Sequence, residues 1–465
     1  MYLKSIMIST KSIRRVLKRT FDKINNEKAK QNILQAVPFW VASLLTGLAA
    51  VFYSRIFAFL EGETLSITRF HHWEIFILTP VCFLVAWWVV QRFAPNARGS
   101  GIPQVMAAIE LANPREDRHV TKLLSNKVFF VKIISSFTMI LGGGLIGKEG
   151  PTVQIAGTIF RKINEWLPSW WPKISKRNMI MTGAAAGLAA AFNTPLGGIV
   201  FAVEELTKTH ISYFKTALFT AVIIAGLTAQ GLLGPYLYLG YPDVTNLSKF
   251  IFLPLIFVAI VSGLLGTGMS KVILLIFRWK GKFKFQYQHI LYVLSCALII
   301  AAIAFFFDQR ILGSGKEIMT TTLFSTEKKV EWYTAIYRIL GTVLSFTTGA
   351  AGGIFAPSLG AGAGVGSLIA GWLGVSANNA NLLILCGMVG YLTAVTRTPF
   401  TSAILVLEMT DRHNVIFHLM VAGLIANLVS MAIDKHSIYD HLKVQYLHDL
   451  HHEDQLEEQN KIPKK

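Results

Sequence analysis

The sequence predicts an all-α polytopic membrane protein made of two inverted-topology repeats of tilted and broken helices. Three observations carry this. Of 465 residues, 53% are hydrophobic and only 15% charged, with a mean hydropathy of +0.49, whereas a soluble chain carries about 25% charged residues. Apolar runs long enough to cross a bilayer recur along the chain. An unusual pattern of Gly, Pro and Glu in the first half returns in the second.

Much of the net charge of +18 lies at the start, where Lys4, Lys11, Arg14, Arg15, Lys18, Arg19 and Lys23 precede the first long apolar run. By the positive-inside rule this places the N-terminus in the cytoplasm. Residues 1–31 are amphipathic and polar with no continuous apolar core, so they read as a cytoplasmic segment and not as a cleavable signal peptide. A nucleic-acid partner would explain the basic residues but not the hydrophobicity, and none is expected. Cys82, Cys296 and Cys386 lie far apart within apolar runs. They read as buried thiols, with no spacing for a disulfide framework or a metal site.

Residues 36–60 and 73–93 are each long enough to span, since roughly 20 apolar residues cross the hydrocarbon core. Arg55 near the end of the first can snorkel. A polar, Gly-rich entry at 94–103 leads into a short segment, 104–111, that cannot cross. Residues 113–127 carry Arg115, Arg118, Lys122 and Lys127, so this loop is cytoplasmic and Ser100 opens toward the inside. Residues 128–141, with Lys132 among them, rise to a glycine stretch, and 151–166 continue beyond it. Trp166, Trp170 and Trp171 mark an interface. Residues 179–192 are followed by a break at Asn193-Thr194-Pro195, then by 196–203, ending in Glu204 and Glu205. A span at 215–233 closes the first membrane repeat, 32–233. The second, 252–435, opens with a span at 252–277 that ends in a basic cytoplasmic turn, and 290–307 returns outward. Residues 436–465 form a cytoplasmic C-terminal helix and tail.

The repeat shows in register. Residues 183–204 and 387–408 align without a gap, sharing Thr194/Thr398, Pro195/Pro399 and the final Glu204/Glu408. Upstream, Gly143/Gly349, Gly147/Gly353 and Pro151/Pro357 also coincide. Paired, Gly/Pro-interrupted short segments point to a transporter whose broken helices meet at a midplane site. Backbone N–H groups left free in a membrane are tolerated only where they line a cavity or bind something.

The stretch from Gly142 to Gly157 suggests what they bind. Pro151 favours a helix start here, and the positive end of a helix at membrane depth suits an anion. Glu149 places a protonatable carboxylate beside that end, and an ionisable side chain in the membrane is a functional candidate by default. The run at 360–366 is a small-xxx-small pattern and reads as close helix packing.

Gly99-Ser100-Gly101-Ile102-Pro103, Gly147-Lys148-Glu149-Gly150-Pro151 and Gly353-Ile354-Phe355-Ala356-Pro357 resemble the three anion-site motifs of the CLC family of chloride channels and proton/chloride antiporters, the bacterial antiporters most closely. The resemblance implies that the Ser100 hydroxyl, the Tyr439 phenol and the backbone N–H groups of Ile354 and Phe355 hold chloride, with Tyr446 a nearby rival for Tyr439. It implies that Glu149 is the gating glutamate and Glu205 the internal proton-transfer acid, that the protein is a homodimer in the bacterial cytoplasmic membrane, and that no cofactor is needed. With a short polar tail after residue 447, nucleotide-binding regulatory modules are not expected.

The chemistry of the residues agrees with that expectation. Chloride can be held by neutral N–H and O–H donors weakly enough to leave. A charged Glu149 competes with it for the helix ends; a protonated one does not. Read alone, Glu205 is as easily an interfacial helix-end acid paired with Lys208. A passive channel of the same fold is the alternative, and retention of an acid at 205 favours exchange. A fluoride exporter would depart at the serine motif. A Ser100 hydrolase would need a buried base, and among the histidines only His418 lies well inside an apolar run.

Overall fold

A computed structural model describes residues 21–22, 26–70, 72–113, 116–206, 215–234, 238–326, 328 and 330–461. Most of the N-terminal segment and Lys208 lie outside the described residues. The first half comprises α1 (Glu27–Phe70), α2 (Ile75–Phe93), α3 (Ile102–Glu110), α4 (Asp117–Leu123), α5 (Asn126–Leu141), α6 (Glu149–Trp166), α7 (Lys176–Phe192), α8 (Pro195–Phe201) and α9 (Lys215–Leu233). The second comprises α10 (Phe252–Lys280), α11 (Gln286–Phe306), α12 (Lys316–Phe324), α13 (Trp332–Thr347), α14 (Phe355–Leu373), α15 (Ala377–Thr396), α16 (Pro399–Thr410) and α17 (Ile416–Ile433), with α18 (Ile438–Lys461) following. Among the described residues, eight helices are long and apolar enough to cross a membrane. The chain is an integral membrane protein.

The internal repeat is visible element by element. Helices α3 and α12 have 9 residues each, and α5 and α13 have 16 each. Left-handed backbone recurs at matching places: Gly99 and Gly101 against Gly313 and Gly315, Gly143 against Gly349, and Asn193 against Arg397. At Gly99, Gly101, Gly313 and Gly315 a side chain would be strained, so glycine is what allows each chain to turn into its short helix.

One helix from each half forms the centre. Residues 179–192 of α7 and 379–396 of α15 are buried throughout, so neither shows the polar stripe of a surface helix. The small-residue run of α14 lies against α15: a methyl on Gly362 would strike the Gly387 carbonyl, and one on Gly366 the Leu383 carbonyl. Close packing is what these glycines serve. Around this centre, Phe52, Phe130 and Leu253 project outward, as a lipid-facing surface requires.

Several boundaries differ from the sequence reading. Helix α1 begins at Glu27, inside the segment assigned to residues 1–31, and runs to Phe70 without ending near 60. Its 44 residues extend about 66 Å, over twice the hydrocarbon thickness of about 30 Å, so it tilts and projects beyond the bilayer. The basic loop at 113–127 contains a helical turn, α4. Arg55 donates to the Leu232 carbonyl at 2.6 Å, capping the end of α9 where snorkelling was expected.

Candidate anion site

Three loops meet between the halves and are tied by main-chain hydrogen bonds. The Gly99 N–H donates to the Ala350 carbonyl (2.9 Å) and the Gly352 N–H to the Gly99 carbonyl (3.0 Å). Gly147 and Gly353 exchange both bonds, each at 2.8 Å. These ties bring together the starts of α3, α6 and α14, whose first N–H groups have no partner within their own helices. Ile354 caps α14 and Phe355 is its first residue, so their N–H groups are among those freed. Three positive helix ends thus face one point in a water-poor interior.

The side chains there are buried and underemployed. Ser100 is 2% exposed, Tyr439 and Glu149 0%, yet no well-formed hydrogen bond satisfies Ser100 Oγ, the Tyr439 hydroxyl or the Glu149 carboxylate; the nearest polar groups are the two hydroxyls for each other and, for Glu149, its own N–H and that of Ala356 in the first turn of α14. A buried polar atom without a partner costs about 1–3 kcal/mol. Three such residues gathered at bare helix starts mark a place for something that would satisfy them. The Tyr439 hydroxyl approaches Ser100, and its ring stacks on Phe355 with centroids 6.0 Å apart.

Glycine makes the approach possible. A methyl on Gly150 would collide with Ser100 Oγ and its carbonyl, and one on Gly147 would strike Glu149 Oε2 and crowd Ala356 and Pro357. Pro103, Pro151 and Pro357 fall in the first turns of α3, α6 and α14, where the missing N–H costs nothing. Helix α6 starts at Glu149 itself, two residues before Pro151.

A cavity of about 360 Å³ reaches Ser100 from one side, lined by Arg98, Gln104, Lys280 and Tyr446 among others. The Tyr446 hydroxyl is engaged there, accepting from Gln104 (3.0 Å) and Arg98 (3.3 Å). Of the two tyrosines, Tyr439 is the one stacked on Phe355. On another side Lys148 lines a second cavity of about 240 Å³. Glu205 lies in a widened, five-residue turn, Ala202–Leu206, and borders a cavity of about 210 Å³ shared with Arg177, Lys443 and Glu110. It is not in the cluster with Ser100, but it is near enough to Tyr439 to act on it electrostatically. His418 stacks on Phe252 at 4.8 Å.

Sequence reasoning did not reach the support beneath the cluster. Lys132, fully buried on α5, donates to the Gly99 carbonyl at 2.9 Å and fixes the serine loop from behind. A lysine within an apolar run was its only signal. Its partner could not be read.

This arrangement of motifs and broken helices matches a known family. Residues 82–431 match the family model described as voltage gated chloride channel. The chain belongs to that family. Among curated members, the H(+)/Cl(-) exchange transporter ClcA of Cronobacter sakazakii is 28% identical over 418 residues, covering 86% of this chain and 87% of that one. The ClcA protein of Salmonella newport is 28% identical over 431 residues, covering 86% of each. Among solved structures, a slow cyanobacterial Cl-/H+ antiporter superposes with a TM-score of 0.78 at 24% identity, covering 89% of this chain and 98% of that one. A CLC-type fluoride/proton antiporter gives 0.74 at 21%, with the same coverage. These two likenesses establish the CLC fold, with its two inverted repeats.

Proposed function

We propose that the chain is a proton-coupled chloride antiporter in which chloride and the Glu149 carboxylate take turns at the Ser100–Tyr439 site. The observation that supports this most is the set of buried, poorly satisfied oxygens of Ser100, Tyr439 and Glu149 at three converging helix starts, with the Glu149 carboxylate lying against the Ala356 N–H of α14. Chloride accepts hydrogen bonds from Ser100, Tyr439 and the N–H groups of Ile354 and Phe355, with no Lys or Arg at the ion, so it is held loosely enough to turn over. Charged, Glu149 is drawn to the same helix ends and displaces the ion. Protonated, it loses that attraction and swings out. One chloride step in one direction thus accompanies a proton step in the other.

Glu205 delivers the proton by a route separate from the chloride path, from the cavity it shares with Arg177 and Lys443. A passive channel needs no such acid. Both termini lie in the cytoplasm of a bacterial cell, and the protein works in the inner membrane as a homodimer with one pathway in each subunit. Val203, Ile223, Leu227, Phe417 and Leu428 are exposed for such an interface, whereas Leu405, Val406 and Leu407 are buried within the chain. The work is transport and not covalent catalysis. In reconstituted vesicles, a chloride gradient should drive uphill proton movement. Chloride flux without it would identify a passive channel, and no flux of either would overturn the reading.

A further inference from the structure

The serine–tyrosine pair of the anion site has a counterpart in the other half of the repeat. Gly99-Ser100-Gly101 leads into α3, and Gly313-Ser314-Gly315 leads into α12. The flanking glycines take the same left-handed backbone, with φ of 63° and 106° in the first and 72° and 97° in the second. Tyr439 comes just after the last helix of the second half, α17, and Tyr238 just after the last helix of the first, α9. As the Tyr439 hydroxyl approaches Ser100, the Tyr238 hydroxyl approaches Ser314. Both serines and both tyrosines are buried. The pairs lie near opposite ends of α11: its first turn lines the cavity at Ser100, and its far end, about 31 Å on, leads into the Ser314 loop.

Around Ser314 the surroundings favour an anion. Ser54, Lys148, Tyr238, Ser314 and Lys316 line a cavity of about 240 Å³. The ammonium groups of Lys148 and Lys316 lie 5.6 and 5.4 Å from the centre of the Tyr238 ring. Ser54 Oγ is buried there without a hydrogen-bond partner. Arg338, fully buried, abuts Gly315 at the start of α12, and its Nε and one terminal nitrogen have no partner. A buried guanidinium with idle donors beside a helix start favours a negative ligand. One negative group is already there. The Glu61 carboxylate accepts the Ser314 N–H at 2.5 Å and acts electrostatically on Lys148, Lys316 and Arg338.

We propose, resting on the anion reading of the Ser100–Tyr439 site, that the Ser314–Tyr238 vestibule is a second anion station related to the first by the internal repeat, and that Glu61 is its tethered occupant, displaced by chloride on its way to or from Glu149. The station sits on the membrane face opposite α18 and sets the affinity for chloride on that face.

Bromide-soaked crystals of the full-length protein and of Glu61→Ala test this by anomalous diffraction. In the variant, peaks are expected at both Ser100–Tyr439 and Ser314–Lys316, and in the unmodified protein the second peak should be much weaker. A peak at Ser100–Tyr439 alone in both proteins overturns the second station and leaves the proposed function standing. Equal second peaks in both overturn the role of Glu61, and no peak at either place overturns the anion reading itself. To separate transport from adventitious binding, chloride dependence is measured from each face of oriented vesicles. Glu61→Ala should lower the half-saturating chloride on the Lys316 face by about tenfold, since it removes a like charge from the site. Ser314→Ala should raise it, and neither should change the value on the Arg98 face. Unchanged values on the Lys316 face for both variants overturn the proposal.

Discussion

Glu204 and Glu408 each cap a broken helix belonging to the other's half. Glu408 accepts from the N–H groups of Leu196 (3.1 Å) and Gly197 (2.7 Å) at the start of α8, and Glu204 from those of Phe400 (3.2 Å) and Thr401 (2.7 Å) at the start of α16. Glu204 also accepts from the Thr401 hydroxyl at 2.7 Å. A carboxylate at a helix start stabilises by about 1–2 kcal/mol. Glu408→Ala should therefore lower the melting temperature in detergent while leaving proton-to-chloride coupling unchanged. A melting curve unchanged from that of the parent would show that this exchanged pair holds nothing together.

Replacing Glu149 should separate the two fluxes. Glu149→Ala takes away the competing charge and should abolish chloride-driven proton movement while chloride still passes, with the pH dependence of chloride flux flattened. Glu205→Gln should also lose proton movement. Coupling retained in full by either variant, measured in vesicles with a proton-sensitive dye, would remove that residue from the proton route.

The two tyrosines give a sharper contrast. Loss of one neutral hydrogen bond costs about 0.5–1.5 kcal/mol, so Tyr439→Phe should weaken chloride binding by about two- to tenfold. Tyr446→Phe should leave it within about twofold, because that hydroxyl is occupied by Gln104 and Arg98. Isothermal titration of chloride into both variants decides, and the reverse order would exchange their roles.

Gly150→Ala tests the closeness of the serine motif. Its methyl would meet Ser100 Oγ and the Ser100 carbonyl, pushing the hydroxyl off the ion. Chloride affinity should fall by about tenfold, equivalent to about 1.4 kcal/mol. Normal affinity in the folded variant would place the ion away from Ser100.

The three motif loops, the paired glutamates and the packing glycines were legible because each depends on a residue type that few other roles tolerate at that place: glycine where a methyl collides, an acid where helix starts are bare. Tyr446 could not be separated from Tyr439 because both lie on α18, and only the stacking on Phe355 and the engagement with Arg98 tell them apart. The charge rule places the loop at 113–127 on one side of the membrane but says nothing of local backbone, so α4 was missed. Arg55 and Lys132 were visible as charges in apolar runs, yet their acceptors, the carbonyls of Leu232 and Gly99, lie far off in the chain. Such pairings are products of tertiary folding. The likeness of Tyr238 to Tyr439 likewise emerged only once Ser314 and Ser100 were seen beside them.

The doubled hydrogen bond between Gly147 and Gly353 bears on how the protein is made. These residues are 206 positions apart, so at about 5–20 residues per second a ribosome emits the second roughly 10–40 seconds after the first, and Tyr439 later still. Until then, Glu149 and the bare helix starts of the nascent half have no partner within the bilayer. Biogenesis must shelter that half-built centre, and a chain that terminates before residue 353 is left with an exposed wound where the finished molecule has its pathway.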